Sequence, residues 1–145
     1  MKIGVKKVRE GARLPYRATE GSAGADLFAY IESETVIGAG EQRLIPTGIA
    51  IELNDPETGA FIFPRSSLAA KNGVSLSNCV GVIDSDYRGE IKIPLFNHSD
   101  RPYTVSPGDR IAQMVILPIL LPEWEEVDSL GETERAEGGF GSTGV

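Results

Sequence analysis

The chain has 145 residues, one domain by length and enough to bury a sizeable core. With 41% hydrophobic and 24% charged residues it has the composition of a folded globular chain, and its longest apolar run, residues 114–121, falls short of the roughly 20 residues of a helical membrane span and is broken by Pro118. A net charge of −7 excludes the basic field of a general DNA or RNA binder, while leaving room for a local arginine cluster that, with a divalent cation, holds a triphosphate.

Short apolar or alternating runs, separated by Gly and Pro, predict strands at residues 2–8, 25–30, 43–53, 60–63, 74–77, 79–83, 90–97 and 110–117. Many short strands with regular turn signals point to an all-β chain, an antiparallel sandwich or barrel. One short helix is expected at residues 68–71, capped by Ser66 or Ser67 and stopped by Gly73. In residues 90–95 the side chains of Ile91, Ile93 and Leu95 share a face, and Pro94 predicts an edge or irregular strand. Turns are expected at Asn54-Asp55-Pro56, Tyr87-Arg88-Gly89 and Ser106-Pro107-Gly108-Asp109. Residues 111–121 are apolar on both faces apart from Gln113, as in a strand deep in a fold or at a subunit interface. The expected organisation is a folded body over residues 1–122, an acidic linker over 123–134 and a Gly-rich tail over 135–145.

Five stretches carry groups suited to chemistry. The tail offers a cation at Arg135, an aromatic ring at Phe140, hydroxyls at Ser142 and Thr143, and bare backbone around Gly141. That set suits a phosphorylated ligand with a flat base. Pro64-Arg65-Ser66-Ser67 places a cation and two hydroxyls at a helix start, where free N–H groups favour an anion. Residues 78–89 read as two apolar arms around an Asp-Ser-Asp-Tyr-Arg-Gly turn, a β-hairpin whose open end exposes backbone groups that can read a pyrimidine edge. Asn78 adds a donor and an acceptor there. Asp84 follows directly on an apolar strand, so a partly buried carboxylate able to hold a water as general base is expected. Gln113 is polar within an apolar run and its amide needs a partner, backbone or ligand. Asp26, after the small residues 23–25, can contact a hydrated Mg²⁺ or simply shape a turn. His98 is the only histidine and Cys79 the only cysteine, which leaves no internal disulfide and little for zinc; both read as structural, and a reducing cytoplasmic setting is expected. The first ten residues lack the apolar region of a secretory signal.

Taken in order, AGADL from Ala23, PRSSLA from Pro64, NCVGVIDSDYRGEI from Asn78, GDRIAQM from Gly108 and RAEGGFGSTG from Arg135 resemble the five blocks of the homotrimeric dUTP pyrophosphatase (dUTPase) family. The resemblance spans nearly the whole chain. It implies a jelly-roll-like β fold and a homotrimer whose active sites are shared between subunits. It implies hydrolysis of dUTP to dUMP and pyrophosphate by water attack at the α-phosphorus, assisted by Mg²⁺, which keeps uracil out of DNA and supplies dUMP for dTMP synthesis. On this resemblance Asp84 holds and activates the water. Asn78 and the backbone of Gly81, Val82 and Ile83 read uracil, and Tyr87 lies beneath the deoxyribose and leaves no room for a 2′-hydroxyl. Arg65, Ser66, Ser67 and Gln113 contact phosphates, and Asp26 touches Mg²⁺ through water. Phe140 stacks on uracil, while Arg135, Gly141, Ser142 and Thr143 close over the β/γ end. Ala136 stands where the family often has glycine, which restricts the backbone.

Two other readings use the same residues. A dCTP deaminase-type relative shares the arginine-serine-serine block, but the Asp84-to-Tyr87 segment and Phe140 argue against it. A nucleotide-sensing interaction module would bind dUTP without needing to cleave it.

Overall fold

A computed structural model describes residues 1–138 of the protein. The described residues form strands β1 (Gly4–Lys7), β2 (Ala25–Phe28), β3 (Thr35–Ile37), β4 (Gln42–Pro46), β5 (Ile49–Glu52) and β6 (Thr58–Phe63), helix α1 (Ser66–Asn72), then β7 (Val74–Leu76), β8 (Gly81–Ile83), β9 (Lys92–Asn97), β10 (Tyr103–Val105) and β11 (Arg110–Pro118). Every strand pair is antiparallel. The largest sheet runs β2-β11-β6-β8, a second runs β4-β9-β7, and β1-β5 and β3-β10 form two ribbons. This is the all-β antiparallel architecture expected from the turn spacing, with the jelly-roll-like form that the family resemblance implies. No helix among the described residues is long and apolar enough to cross a membrane.

The core is aliphatic: Leu27, Ile37, Ile45, Ile49, Ile93, Leu95 and Ile111 are essentially sealed from solvent. Alternation along β9 sends Ile93, Leu95 and Asn97 inward. Asn97 is fully buried yet satisfied: its Nδ2 donates to the carbonyls of Ile37 (3.0 Å) and Arg101 (2.7 Å), and its Oδ1 accepts from Ser99. That agrees with the rule that buried amides find partners.

Several local expectations change. Residues 43–53 are two strands rather than one, broken at Thr47-Gly48, where Gly48 adopts φ +72°. A Cβ there would approach that of Ala12 to 2.7 Å, so glycine is required. Neither serine caps helix α1: Arg65, extended after Pro64, is the N-cap, and its carbonyl accepts from the amides of Leu68 and Ala69. Gly73 ends the helix at φ +66°, as read. Strands β3 and β10 are three residues each, with one buried side chain apiece, and leave little periodicity to detect. Pro94 lies in a central strand, not at an edge. Its carbonyl accepts from Ser77 just past the end of β7, so its missing N–H falls where that ladder stops.

β11 lies between β2 and β6, and its second half keeps apolar side chains only partly covered, with Leu117 38% exposed. Its pairing with β2 slips between Arg110 and Ala112: Arg110 faces Phe28, Ala112 faces Leu27 and Gln113 faces Asp26. Ile111 is the extra residue of a β-bulge. Beyond the strand, apolar side chains emerge into solvent, with Leu120 93% and Trp124 92% exposed.

Candidate active site

The first cluster forms where β2, β6 and β11 lie side by side. Asp26 is 9% exposed and carries two ion pairs: Arg65 Nε donates to Oδ1 at 2.8 Å and Arg110 Nη1 to Oδ2 at 3.2 Å. Two cations on one carboxylate leave a local positive excess on an acidic chain. Opposite Asp26, Gln113 donates Nε2 to the Pro64 carbonyl at 3.0 Å, which answers the need for a partner with backbone. Asp26, Arg65, Ser66, Arg110 and Gln113 line one cavity of about 310 Å³. Ser67 is exposed and does not line it. The sequence reading left out Arg110 as a ligand contact; its place just before the apolar strand was the available signal.

The second cluster surrounds the segment after β7. Cys79 sits at φ +61° in a tight turn in which the Val80 amide donates to Asn78 O at 2.6 Å. β8 then pairs with β6, while β9 pairs with β4 and β7. The two arms expected to form a hairpin therefore do not ladder with each other. Each finds its partners in a different sheet, and a cavity of about 220 Å³ opens between them. Asn78, Gly81, Val82, Ile83, Asp84 and Tyr87 all line it. β8 is the edge strand of its sheet, so one side of its backbone is unpaired among the described strands.

Asp84 is exposed rather than partly buried, because it lies just past the end of this edge strand. The Tyr87 amide donates to the Asp84 carbonyl at 3.2 Å, and Arg88 Nη1 donates to Ser85 O at 2.7 Å, which fastens the turn. The Tyr87 ring lies over Gly89, where a Cβ would overlap its hydroxyl, and that hydroxyl donates to the Glu90 carbonyl at 3.2 Å.

Glu90 lines the same cavity. Its Oε1 accepts from Arg9 Nε (2.8 Å) and the Gly48 amide (3.0 Å), and its Oε2 from Arg9 Nη2 (3.1 Å). The Arg9 hydrogen bonds hold its carboxyl below the usual range, outweighing the upward pull of burial, with the Gly48 amide adding to the lowering. Glu90 falls within the third family block, but nothing in the sequence marks its pairing with Arg9, 81 residues away.

The first cluster spans β2, β11 and the end of β6, and the second lies along β8, the edge strand next to β6. In the tail, Arg135 Nε donates to Gly138 O at 3.0 Å, and Ala136 adopts φ +45°. Phe140, Gly141, Ser142 and Thr143 lie outside the described residues.

Among the described residues no three His, Cys, Asp or Glu side chains converge. Asp26 alone cannot cage a divalent ion. Its oxygens each accept one guanidinium bond and keep lone pairs free, which fits contact with a water of a Mg²⁺ ion brought in on phosphates.

The dUTPase family model matches residues 10–144. The chain belongs to the dUTPase family. It is 51% identical over 145 residues to the deoxyuridine 5'-triphosphate nucleotidohydrolase of Desulfitobacterium hafniense, covering 100% of this chain and 96% of that protein. It is 52% identical over 132 residues to the enzyme of the same name from Neisseria meningitidis serogroup A, covering 91% and 88%. Among solved structures, Staphylococcus bacteriophage 80alpha dUTPase with dUPNHPP superposes with a TM-score of 0.88 at 28% identity, covering 99% of both chains. Four of the five blocks thus have residues on two cavities, one beside an edge strand and the other with an excess of positive charge.

Proposed function

We propose that this chain hydrolyses dUTP to dUMP and pyrophosphate, with the β8 cavity taking the nucleoside and the Arg65–Arg110 cluster taking phosphate oxygens. The observation that carries this reading is the pairing of a cavity bounded by Asn78 and free β8 backbone with Asp84 and Tyr87 at its rim. Uracil offers donors and acceptors along one edge, and the Asn78 amide and strand backbone can match both. Rejection of thymine follows from a clash between its extra methyl and the pocket wall, because burial alone discriminates one methyl by only about 1–3 kcal/mol.

Asp84 accepts a hydrogen bond from the attacking water and takes its proton as the oxygen bonds to the α-phosphorus; pyrophosphate leaves as the bridging P–O bond breaks. Arg65 and Arg110 offset the negative charge spread over the phosphate oxygens, and Gln113, Ser66 and Ser67 add neutral contacts. Mg²⁺, held on the phosphates and touched by Asp26 through water, would supply further charge neutralisation. The residues after Glu134 act as a lid: Phe140 stacks on uracil, and Arg135, Gly141, Ser142 and Thr143 hold the terminal phosphates and exclude solvent.

The working unit in this reading is a homotrimer in which one chain's β8 cavity meets another chain's arginine cluster. Support comes from the two clusters lining separate cavities with no residue in common and from the exposed apolar side chains at Val82, Leu120 and Trp124. A chain with one free thiol and no disulfide suits a reducing, cytoplasmic setting.

Product analysis tests the reading. Pyrophosphate from dUTP with Mg²⁺, and little from UTP or dTTP, is expected. Equal turnover of UTP, or ammonia released from dCTP, overturns it.

A further inference from the structure

Arg9, Gly48 and Glu90 form a closed triangle. The Arg9 amide donates to the Gly48 carbonyl at 3.3 Å, the Gly48 amide donates to Glu90 Oε1 at 3.0 Å, and the Arg9 guanidinium grips both Glu90 oxygens. Three distant segments meet there: the end of β1, the β4–β5 turn and the chain leaving the Asp84 turn. Arg9 also lies over the Tyr30 ring, 5.6 Å from its centre. The corner has little freedom, because Gly48 is at positive φ against Ala12 and Tyr30. The next residue, Ile91, is 2% exposed and bonded on both sides: its amide donates to Ile49 O at 2.9 Å, and its carbonyl accepts from the amide and hydroxyl of Thr47.

Tyr87 is the opposite case. It is 46% exposed, and its ring is located by the backbone of residues 89–90, through the hydroxyl bond to Glu90 O and the packing over Gly89. An ordinary surface ion pair contributes little and fixes nothing. This one is bidentate, has a third bond to a backbone amide, and its acidic member is only 13% exposed.

We propose that Glu90 is a positioning residue: held by Arg9 and the Gly48 amide, it fixes the Tyr87 ring and so sets how strictly the site refuses ribonucleotides. The proposal rests on the reading of Tyr87 as the floor beneath the deoxyribose. A pocket rejects an added hydroxyl strongly only if the wall it meets cannot yield; a soft site discriminates by about 100-fold at most. The triangle supplies that stiffness at a distance from the reacting atoms.

The test compares kcat/KM for dUTP and UTP in wild type, Glu90→Ala, Glu90→Gln, Arg9→Ala and Tyr87→Ala, with Tm measured for each. Glu90→Ala is expected to lower the dUTP:UTP ratio about tenfold or more, through a raised relative rate on UTP. Arg9→Ala moves it the same way by less, and Glu90→Gln, which still accepts from Gly48 and Arg9, restores most of it. If Glu90→Ala and Arg9→Ala slow both nucleotides in equal proportion while Tyr87→Ala loses discrimination, the clamp idea is wrong and the role of Tyr87 stands. If Tyr87→Ala keeps the full ratio, the reading of Tyr87 fails and takes the proposal with it. Should Glu90→Ala not fold, Arg9→Ala breaks the same contact from a side chain 45% exposed and decides the matter.

Discussion

Arg65, two residues past the end of β6, reaches across β11 to Asp26 on β2, and Nε meets Oδ1 at 2.8 Å. Arg110 takes the other oxygen. One carboxylate therefore holds both cations in place.

Asp26→Ala should leave two guanidiniums facing each other in a partly buried site. A loss of about 2 kcal/mol is expected, below the figure for a fully buried pair because Arg65 and Arg110 retain solvent contact. For a chain of this size that is roughly 6 °C in Tm. Asp26→Asn keeps the shape and should lose less. Thermal melts check the order; an unchanged Tm in both variants removes Asp26 as organiser of the cluster.

Gly24→Ala tests the phosphate side without removing a functional group. A Cβ at residue 24 would sit 2.8 Å from Gln113 Oε1, and the glutamine must turn away. The backbone there suits alanine, but the turned amide loses its bond to the Pro64 carbonyl, so a loss of about 1 kcal/mol is expected, while KM for dUTP rises several-fold toward that of Gln113→Ala. Steady-state kinetics of both variants decide; a wild-type KM in Gly24→Ala detaches Gln113 from substrate.

Asp84→Asn should bind dUTP with nearly unchanged affinity and lose about 10²–10⁴-fold in kcat, the range for removal of a general base. Truncation after Glu134 should also abolish turnover, with Tm unaltered. If sites are shared between subunits, mixing the two inactive proteins under exchange conditions restores part of the activity. No recovery from mixed, assembled chains would count against shared sites.

Glu90 gives a pH signature. Its carboxyl titrates below the ordinary value because Arg9 bonds it, so between the two values the unfolded chain binds more protons than the folded one and stability rises with pH. The advantage of wild type over Glu90→Gln should be complete above the usual glutamate range, near pH 4.3, and fade as pH falls below it. Denaturant titrations at neutral and acidic pH read the difference directly. A gap that widens in acid contradicts the ion pair.

Strand positions were legible because Gly and Pro bracket short runs whose alternation marks one buried face, as in Ile91, Ile93 and Leu95. Pairing was not. Residues 81–83 and 92–97 look like hairpin arms locally, yet β6, β4 and β7 outbid the short-range partner from far along the chain. The motif residues Asn78, Asp84 and Tyr87 were named from their blocks and fall around one cavity. Arg9 escaped notice because a lone arginine near the start carries no pattern, and only folding brings it to Glu90. Pro94 misled for a similar reason: the end of β7 excuses the missing donor, and no local feature announces where a neighbour stops.

In a regular strand, residues 110 and 113 would point to opposite faces. The bulge at Ile111 resets the alternation, and both arrive beside Asp26. This strand should thus tolerate exchanges of one aliphatic side chain for another far better than any change in length. Deleting one residue there would swing the arginine away from its carboxylate, so gaps in this stretch should be scarce among working relatives.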